Sequence, residues 1–197
     1  MTIRQLLVAG GVTVAGSNVS FKGSAEAAAT SVTLPTHAAG DFIFIVAYGS
    51  TRPTVPAGWT TLKEFATYFN NRLCVAAYKA AAGTSEVSGT WTNADYMTAA
   101  VYDGVASVGG SSATQSTSNT TYPGVTMSES DGTSWVVGVG VGNGSMTAVP
   151  SGMTFRDGTN TFMGWHDTAS GVTGWGSTSA FTGSTAGGAV TFELVSE

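Results

Sequence analysis

Two stretches of this chain, separated by roughly ninety residues, carry nearly the same pattern, and that doubling constrains the fold more than any single residue does. The first runs Val32-Thr33-Leu34, then Asp41-Phe42-Ile43-Phe44-Ile45-Val46, then Val55-Pro56-Ala57-Gly58-Trp59-Thr60. The second runs Val125-Thr126-Met127, then Trp135-Val136-Val137-Gly138-Val139, then Val149-Pro150-Ser151-Gly152-Met153-Thr154. Val125 follows Val32 by 93 positions and Pro150 follows Pro56 by 94. Further along, Leu73–Val75 aligns with Phe162–Gly164, and Val101-Tyr102 with Phe192-Glu193. The half-repeats span roughly 32–105 and 125–195, with 1–31 an additional N-terminal strand segment, and 1–197 reads as a single domain.

Apolar residues recur with period two or in short solid blocks bounded by Gly, Pro, Asn, Asp and Ser, and no stretch keeps a 3.6-residue rhythm. Strands are expected at Leu6–Val14, Val19–Phe21, Thr30–Leu34, Asp41–Tyr48, Thr60–Phe69, Arg72–Lys79, Ser88–Trp91, Tyr96–Tyr102, Thr114–Thr117, Gly124–Met127, Ser134–Val141, Met153–Asp157, Thr161–His166, Ser179–Phe181 and Ala189–Val195. Lys79–Gly83 and Ala25–Ala29 have the propensity for a helical turn. Phe42–Val46 and Trp135–Val141 lack polar alternates, so both faces of those strands should be covered. In Ala189–Val195, by contrast, Val190, Phe192 and Leu194 should face inward while Thr191 and Glu193 meet water. The fold class that follows is all-β: a jelly-roll β-sandwich of about eight to ten antiparallel strands in two sheets, with an internal half-repeat.

Composition narrows the function. At 42% hydrophobic with 5 Trp, 9 Phe and 6 Tyr, the chain has the means to bury a core. Charged residues make up only 10%, and no run reaches the ~20 apolar residues of a membrane-spanning helix. A net charge of −5 with 7 Lys and Arg leaves no basic stripe for phosphates, so neither nucleic acid nor membrane is an expected partner. The opening Met1–Gly11 faintly imitates a signal peptide, but glycines interrupt it, and it reads as a retained first strand. Lone Cys74, in an apolar run, reads as a small core group rather than a disulfide or zinc ligand.

The run from Leu34-Pro35 through Gly40-Asp41-Phe42-Ile43-Phe44, Pro56-Ala57-Gly58-Trp59-Thr60, Ala77-Tyr78-Lys79 and Thr90-Trp91 to Val101-Tyr102-Asp103-Gly104-Val105 resembles a β-sandwich module of tailed-phage virion proteins and related bacterial extracellular proteins. With the second half included, the likeness covers roughly residues 32–195; it departs at Asp103, where relatives often carry Arg. The resemblance implies a virion location and a non-enzymatic structural role as a capsid decoration, cement or head-spike protein, with the major capsid protein as a partner. Its alternative is a tail or fibre receptor-binding or carbohydrate-binding module.

The chemistry-bearing residues form no catalytic pattern. His37 and His166 are the two histidines, no Gly-x-Ser-x-Gly elbow occurs, and the neighbouring side chains of His166 and Asp167 should diverge on a strand. His166 reads as a surface or edge histidine. The carboxylates Asp41, Glu64, Asp95, Asp103, Asp157, Asp167 and Glu193 are scattered, and Glu129-Ser130-Asp131-Gly132 reads as a hairpin turn rather than a calcium loop. No catalytic residue, metal or cofactor is expected. Possible glycan or partner contacts are Tyr68, Phe69, Asn70, Asn71 and Arg72, where rings stand beside amides and a guanidinium, and Trp165 and Trp175, which bracket the polar loop 167–174. Because Trp135–Val141 and Leu73–Ala77 carry no Lys or Pro, they should be interior or covered by another subunit, and a homo-oligomer, a trimer by analogy with phage appendages, is expected.

Overall fold

The computed structural model describes residues 16–118, 120–142, 144, 148–157, 162–176, 178–179 and 186–197. In chain order the strands are β1 (Ser20–Ala27), β2 (Phe42–Gly49), β3 (Thr60–Ala66), β4 (Leu73–Ala80), β5 (Tyr96–Asp103), β6 (Val105–Ser116), β7 (Thr121–Tyr122), β8 (Trp135–Gly142), β9 (Thr154–Asp157), β10 (Met163–Asp167), β11 (Thr178–Ser179) and β12 (Gly187–Ser196). Ten of them build two five-stranded antiparallel sheets, ordered β1-β5-β2-β4-β3 and β6-β12-β8-β10-β9, while β7 and β11 form a small separate pair. The result is a β-sandwich.

The doubling in the sequence appears directly in the topology. Equating β2 with β8, β3 with β9, β4 with β10, β5 with β12 and β1 with β6 turns one sheet's order into the other's. Each half of the chain therefore builds one five-stranded sheet, which refines the expected jelly-roll path: apart from the small β7–β11 pair, consecutive strands stay in their own sheet, and the chain passes from the first sheet to the second between β5 and β6 at Gly104. Gly104 has φ +69°, and a Cβ there would lie 2.1 Å from the Asn18 carbonyl oxygen, so only glycine fits the crossing. The two Pro-x-Gly corners are also equivalent. Trp59 N–H donates to Pro56 O (3.4 Å) and Met153 N–H to Pro150 O (3.0 Å), with Gly58 and Gly152 at φ +85° and +81°.

Register corrects the last alignment by one residue. Phe42 pairs with Tyr102, and its counterpart Trp135 pairs with Leu194, so Val101-Tyr102 corresponds to Glu193-Leu194 rather than Phe192-Glu193. On a strand, one step exchanges the faces.

The core lies between the sheets. Phe44, Val46, Tyr102, Val137, Val139, Trp165, Val190, Phe192 and Leu194 all bury there, and the Phe44 and Phe192 rings stack 4.9 Å apart across the layers. Truncating either ring to Ala would cost about 3–5 kcal/mol. The expectation that Phe42–Val46 and Trp135–Val141 are covered on both faces is met, because each sheet's outer face carries loops. Val32, Trp91 and Ala94 lie over Ile45, Ala47, Val75, Ala77 and Met97. Tyr122, Met153, Val172 and Trp175 cover Val136 and Ala189. Within β8 the Val and Gly residues divide this labour: Val137, Val139 and Val141 enter the core, while Tyr122 lies against Gly138, where a Cβ would sit 3.0 Å from the ring.

Several expected strands are these covers. Thr30–Leu34 and Ser88–Trp91 are loops tied to each other by Trp91 N–H to Thr30 O (2.7 Å) and Val32 N–H to Ser88 Oγ (3.0 Å); Gly124–Met127 reduces to one bridge, Val125 with Trp175. Their apolar residues cap a sheet instead of joining it. Ala25–Ala27 and Lys79-Ala80 end strands rather than starting helices, and Thr114–Thr117 is the tail of the much longer β6. Thr191 and Glu193 do not meet water: both are fully buried under the outer loops. Leu73–Ala77 and Trp135–Val141 lie in interior strands β4 and β8, so of the two readings for their bare edges the interior one holds. Leu6–Val14 and Phe181 lie outside the described residues.

Candidate functional site

The sequence-selected contacts separate into one cluster and two outliers. At the β3–β4 connection, Asn70 and Asn71 adopt left-handed backbone angles (φ 47° and 50°), which Asn tolerates better than most residues, and Thr67 N–H closes the turn on Arg72 O at 2.9 Å. That geometry leaves Asn70, Asn71 and Tyr68 exposed, Tyr68 at 47% of its full accessible surface. Phe69 opens this 3-10 turn; its side chain is outside the described part. Arg72 forms an ion pair with Asp95 and stands 5.8 Å from the centroid of Tyr48, which stacks on Tyr96 at 5.8 Å. Asp95 also accepts from Ser50 N–H at 3.2 Å. The result is a rim with one exposed ring, two exposed amides and a guanidinium–carboxylate pair over buried tyrosines. Burial raises the Tyr48 hydroxyl above its ordinary range, more than Arg72 lowers it.

Trp165 and Trp175 belong to the second sheet. Trp165 is fully buried between the layers, edge-on to Phe192, with its indole N–H donating to Thr98 Oγ1 at 2.7 Å. Its ring has no face open to a ligand. Trp175 is half-buried in the outer cover beside the Gly152 corner. Bracketing a loop in sequence does not make the two rings converge, since Trp165 points inward.

The buried ionisable groups act as braces. Asp167 of β10 accepts from Tyr102 Oη of the opposite sheet (3.1 Å), from Arg156 Nε (2.7 Å) and from Ala169 N–H (2.9 Å). Arg156 in turn covers the Phe21 and Trp135 rings at 5.0 and 5.9 Å. His166 faces the other way, as strand alternation requires, but it is not a surface or edge residue. It is fully buried, Nδ1 lies 2.8 Å from Tyr122 Oη, and burial pushes its pKa down to about 4. A buried imidazole that stays neutral suits a packed cover. Glu193 accepts from Ser128 N–H (2.6 Å) and Oγ (2.7 Å), Glu129 N–H (3.1 Å) and Gly110 N–H (3.1 Å). Burial drives its pKa upward, but these donors outweigh burial and hold it below the ordinary value.

His37 and Asp41 follow the same rule. Glu86 N–H donates to His37 Nε2 (3.0 Å), which leaves the proton on Nδ1, where it bonds Pro35 O (2.7 Å). Asp41 accepts from Lys22 (2.7 Å) and Ala38 N–H (2.6 Å). His37 helps line an open groove of about 800 Å³ between residues 31–37 and 84–90, a lining without Trp, Tyr or Phe. Asp131 is held below its ordinary pKa by the backbone and hydroxyl of Thr133, which closes the turn around it. Among the described residues no three His, Cys, Asp or Glu gather where a metal could bind. Cys74 is buried, and burial raises its thiol far above the ordinary range. The chain matches no family model, no curated protein and no solved structure.

Proposed function

We propose that this chain is a non-enzymatic structural protein of a tailed-phage virion, seated on the capsid surface as a decoration, cement or head-spike component. The resemblance over residues 32–195 supplies the setting. The observation that carries the structural role is the use of the buried ionisable groups: Asp167, Glu193, Asp41 and His37 each hold two segments of chain together. Polar chemistry spent on bracing, and loops fastened over both sheets, make a rigid unit for packing against neighbours such as the major capsid protein and other copies of itself. With 10% charged residues, such packing leaves few charges to desolvate. Quantitative mass spectrometry of purified particles should find the chain at high, fixed stoichiometry; particles lacking it would overturn the proposal.

One observation favours a second reading, a tail or fibre module that binds glycans. Tyr68 exposes a ring next to Asn70, Asn71 and the Arg72–Asp95 pair, the elements that stack on a sugar face and orient its hydroxyls. A sugar that binds should raise Tm, and Tyr68→Ala should abolish the shift. A glycan array with no binder would remove this reading.

A further inference from the structure

A sheet ends in strands whose outer backbone groups lack partners, and proteins guard such edges with charge, bulges, proline or brevity. The sandwich has four edge strands, β1, β3, β6 and β9. Three are guarded: β1 carries Lys22 and Glu26 with a register break at Phe21/Gly23, β3 carries Lys63 and Glu64 with a break at Thr61/Lys63, and β9 is four residues long and ends Arg156-Asp157. β6 differs. It runs twelve residues, Val105–Ser116, with no charged residue and no proline. Opposite Glu193 the ladder skips Gly109 and Gly110, but beyond that break Ser111–Ser116 pair in unbroken register with Phe192–Gly187. Among the described residues β6 pairs with β12 alone; Gln115 is exposed, the other five residues of Ser111–Ser116 are half-buried, and Ala113–Gln115 line a shallow groove with Lys63–Ala66 of β3, which leaves the outer backbone edge of β6 without a ladder partner.

We propose that this bare edge is an interface between two copies of the chain, with Ser111–Ser116 of each pairing antiparallel about a two-fold axis to make one continuous ten-stranded sheet. The occupant is a second copy because the edge complements itself. Antiparallel pairing about a two-fold sets the segment against its own reverse, and an uncharged segment meets no like charge there. Small Ser, Ala and Thr side chains let the backbones approach to the ~4.8 Å of a sheet ladder. With one unguarded edge among the described strands, the assembly closes at two copies, where two such edges would grow a filament. The symmetry is two-fold, whereas the phage resemblance implies three-fold, and the mass of the assembly separates them.

Sedimentation velocity of the full chain over a concentration series should show monomer and dimer in mass-action equilibrium. Thr114→Lys places ammonium groups near one another across the axis and should weaken the dimer at least about tenfold, with far-UV circular dichroism and Tm unchanged. Ser24→Lys on β1 should leave the dimer intact. Should Thr114→Lys fail to fold, hydrogen exchange on the unaltered chain decides: the amides of Ser111–Ser116 should gain protection as concentration rises. A monomer at every concentration, a three-chain mass, or a dimer indifferent to Thr114→Lys overturns the proposal. So does concentration-independent protection of Ser111–Ser116, which would mean that the chain's own N-terminal segment covers β6. The pairing belongs to the isolated chain, so its failure and a failure of the virion reading are separately visible.

Discussion

Tyr102 and Asp167 lie on opposite sheets, both fully buried, and the Tyr102 hydroxyl donates to Asp167 Oδ2 at 3.1 Å. This bond ties the two layers, and Arg156 supplies the compensating charge beside it. Tyr102→Phe removes one donor but leaves the carboxylate paired, so it should lower the unfolding free energy by about 1 kcal/mol. Asp167→Ala strips Arg156 and Tyr102 of their acceptor in a buried setting and should cost about 3 kcal/mol or more. Urea denaturation checks both; equal losses would mean that Asp167 is not the centre of the brace.

His166 makes stability depend on pH. Its folded pKa of about 4 lies below the 6.5 of an unconstrained imidazole, because burial disfavours the cation. Between these values the unfolded chain binds more protons, so stability is complete above about pH 6.5 and falls as pH drops toward 4, by up to about 3 kcal/mol. Glu193, Glu86 and Asp131, held below their ordinary values, act in a lower window: their contribution is present above the unfolded carboxylate range and is lost as pH falls through the folded pKa. Unfolding of a His166→Gln variant between pH 7 and 5 should lose the slope. A slope that persists would place its origin elsewhere.

Period-two patterning and the repeated Pro-x-Gly corners made the sandwich and its two-fold construction legible. The covering loops were not, because Val32 and Trp91 on a loop over a sheet leave the same apolar trace as a strand. β6 escaped for the opposite reason: Gly109, Gly110, Ser111 and Ser112 on an edge carry no apolar rhythm. At the candidate site, Tyr68 to Arg72 could be found from turn composition and local ring content. The pairing of Arg72 with Asp95 crosses 23 residues and rests on tertiary register alone.

The Gly138 position offers a test of how the second sheet is covered. A Cβ there would lie 3.0 Å from the Tyr122 ring, which must give by a few tenths of an ångström; because that ring is fully buried and its hydroxyl is tied to His166, Gly138→Ala should cost about 1–3 kcal/mol. Combining it with Tyr122→Leu should cost less than the sum of the two single changes, because the smaller side chain yields the space. Gly174→Ala, with nothing within 4 Å of the added carbon, should stay within about 0.5 kcal/mol of the parent. A full additive loss in the double variant would show that the ring does not press on Gly138.

The duplication also predicts what cannot be exchanged between the halves. Register makes Val101 and Glu193 counterparts, both buried on the outer faces of their sheets. Val101 packs with Ile43 and Ala81, near Leu34 and Trp59, so an apolar cover suffices there. Glu193 instead fastens its cover through Ser128, Glu129 and Gly110. Giving the second sheet the first sheet's solution, Glu193→Val, leaves these backbone donors without an acceptor and should destabilise by about 3 kcal/mol, although the new side chain is smaller and apolar. Glu193→Gln retains the shape but offers one carbonyl oxygen in place of two, and should fall between. Hydrogen exchange at Ser128, Glu129 and Gly110 should quicken in both variants before global unfolding. Unchanged protection at these three amides would show that the loop is held by its apolar contacts alone.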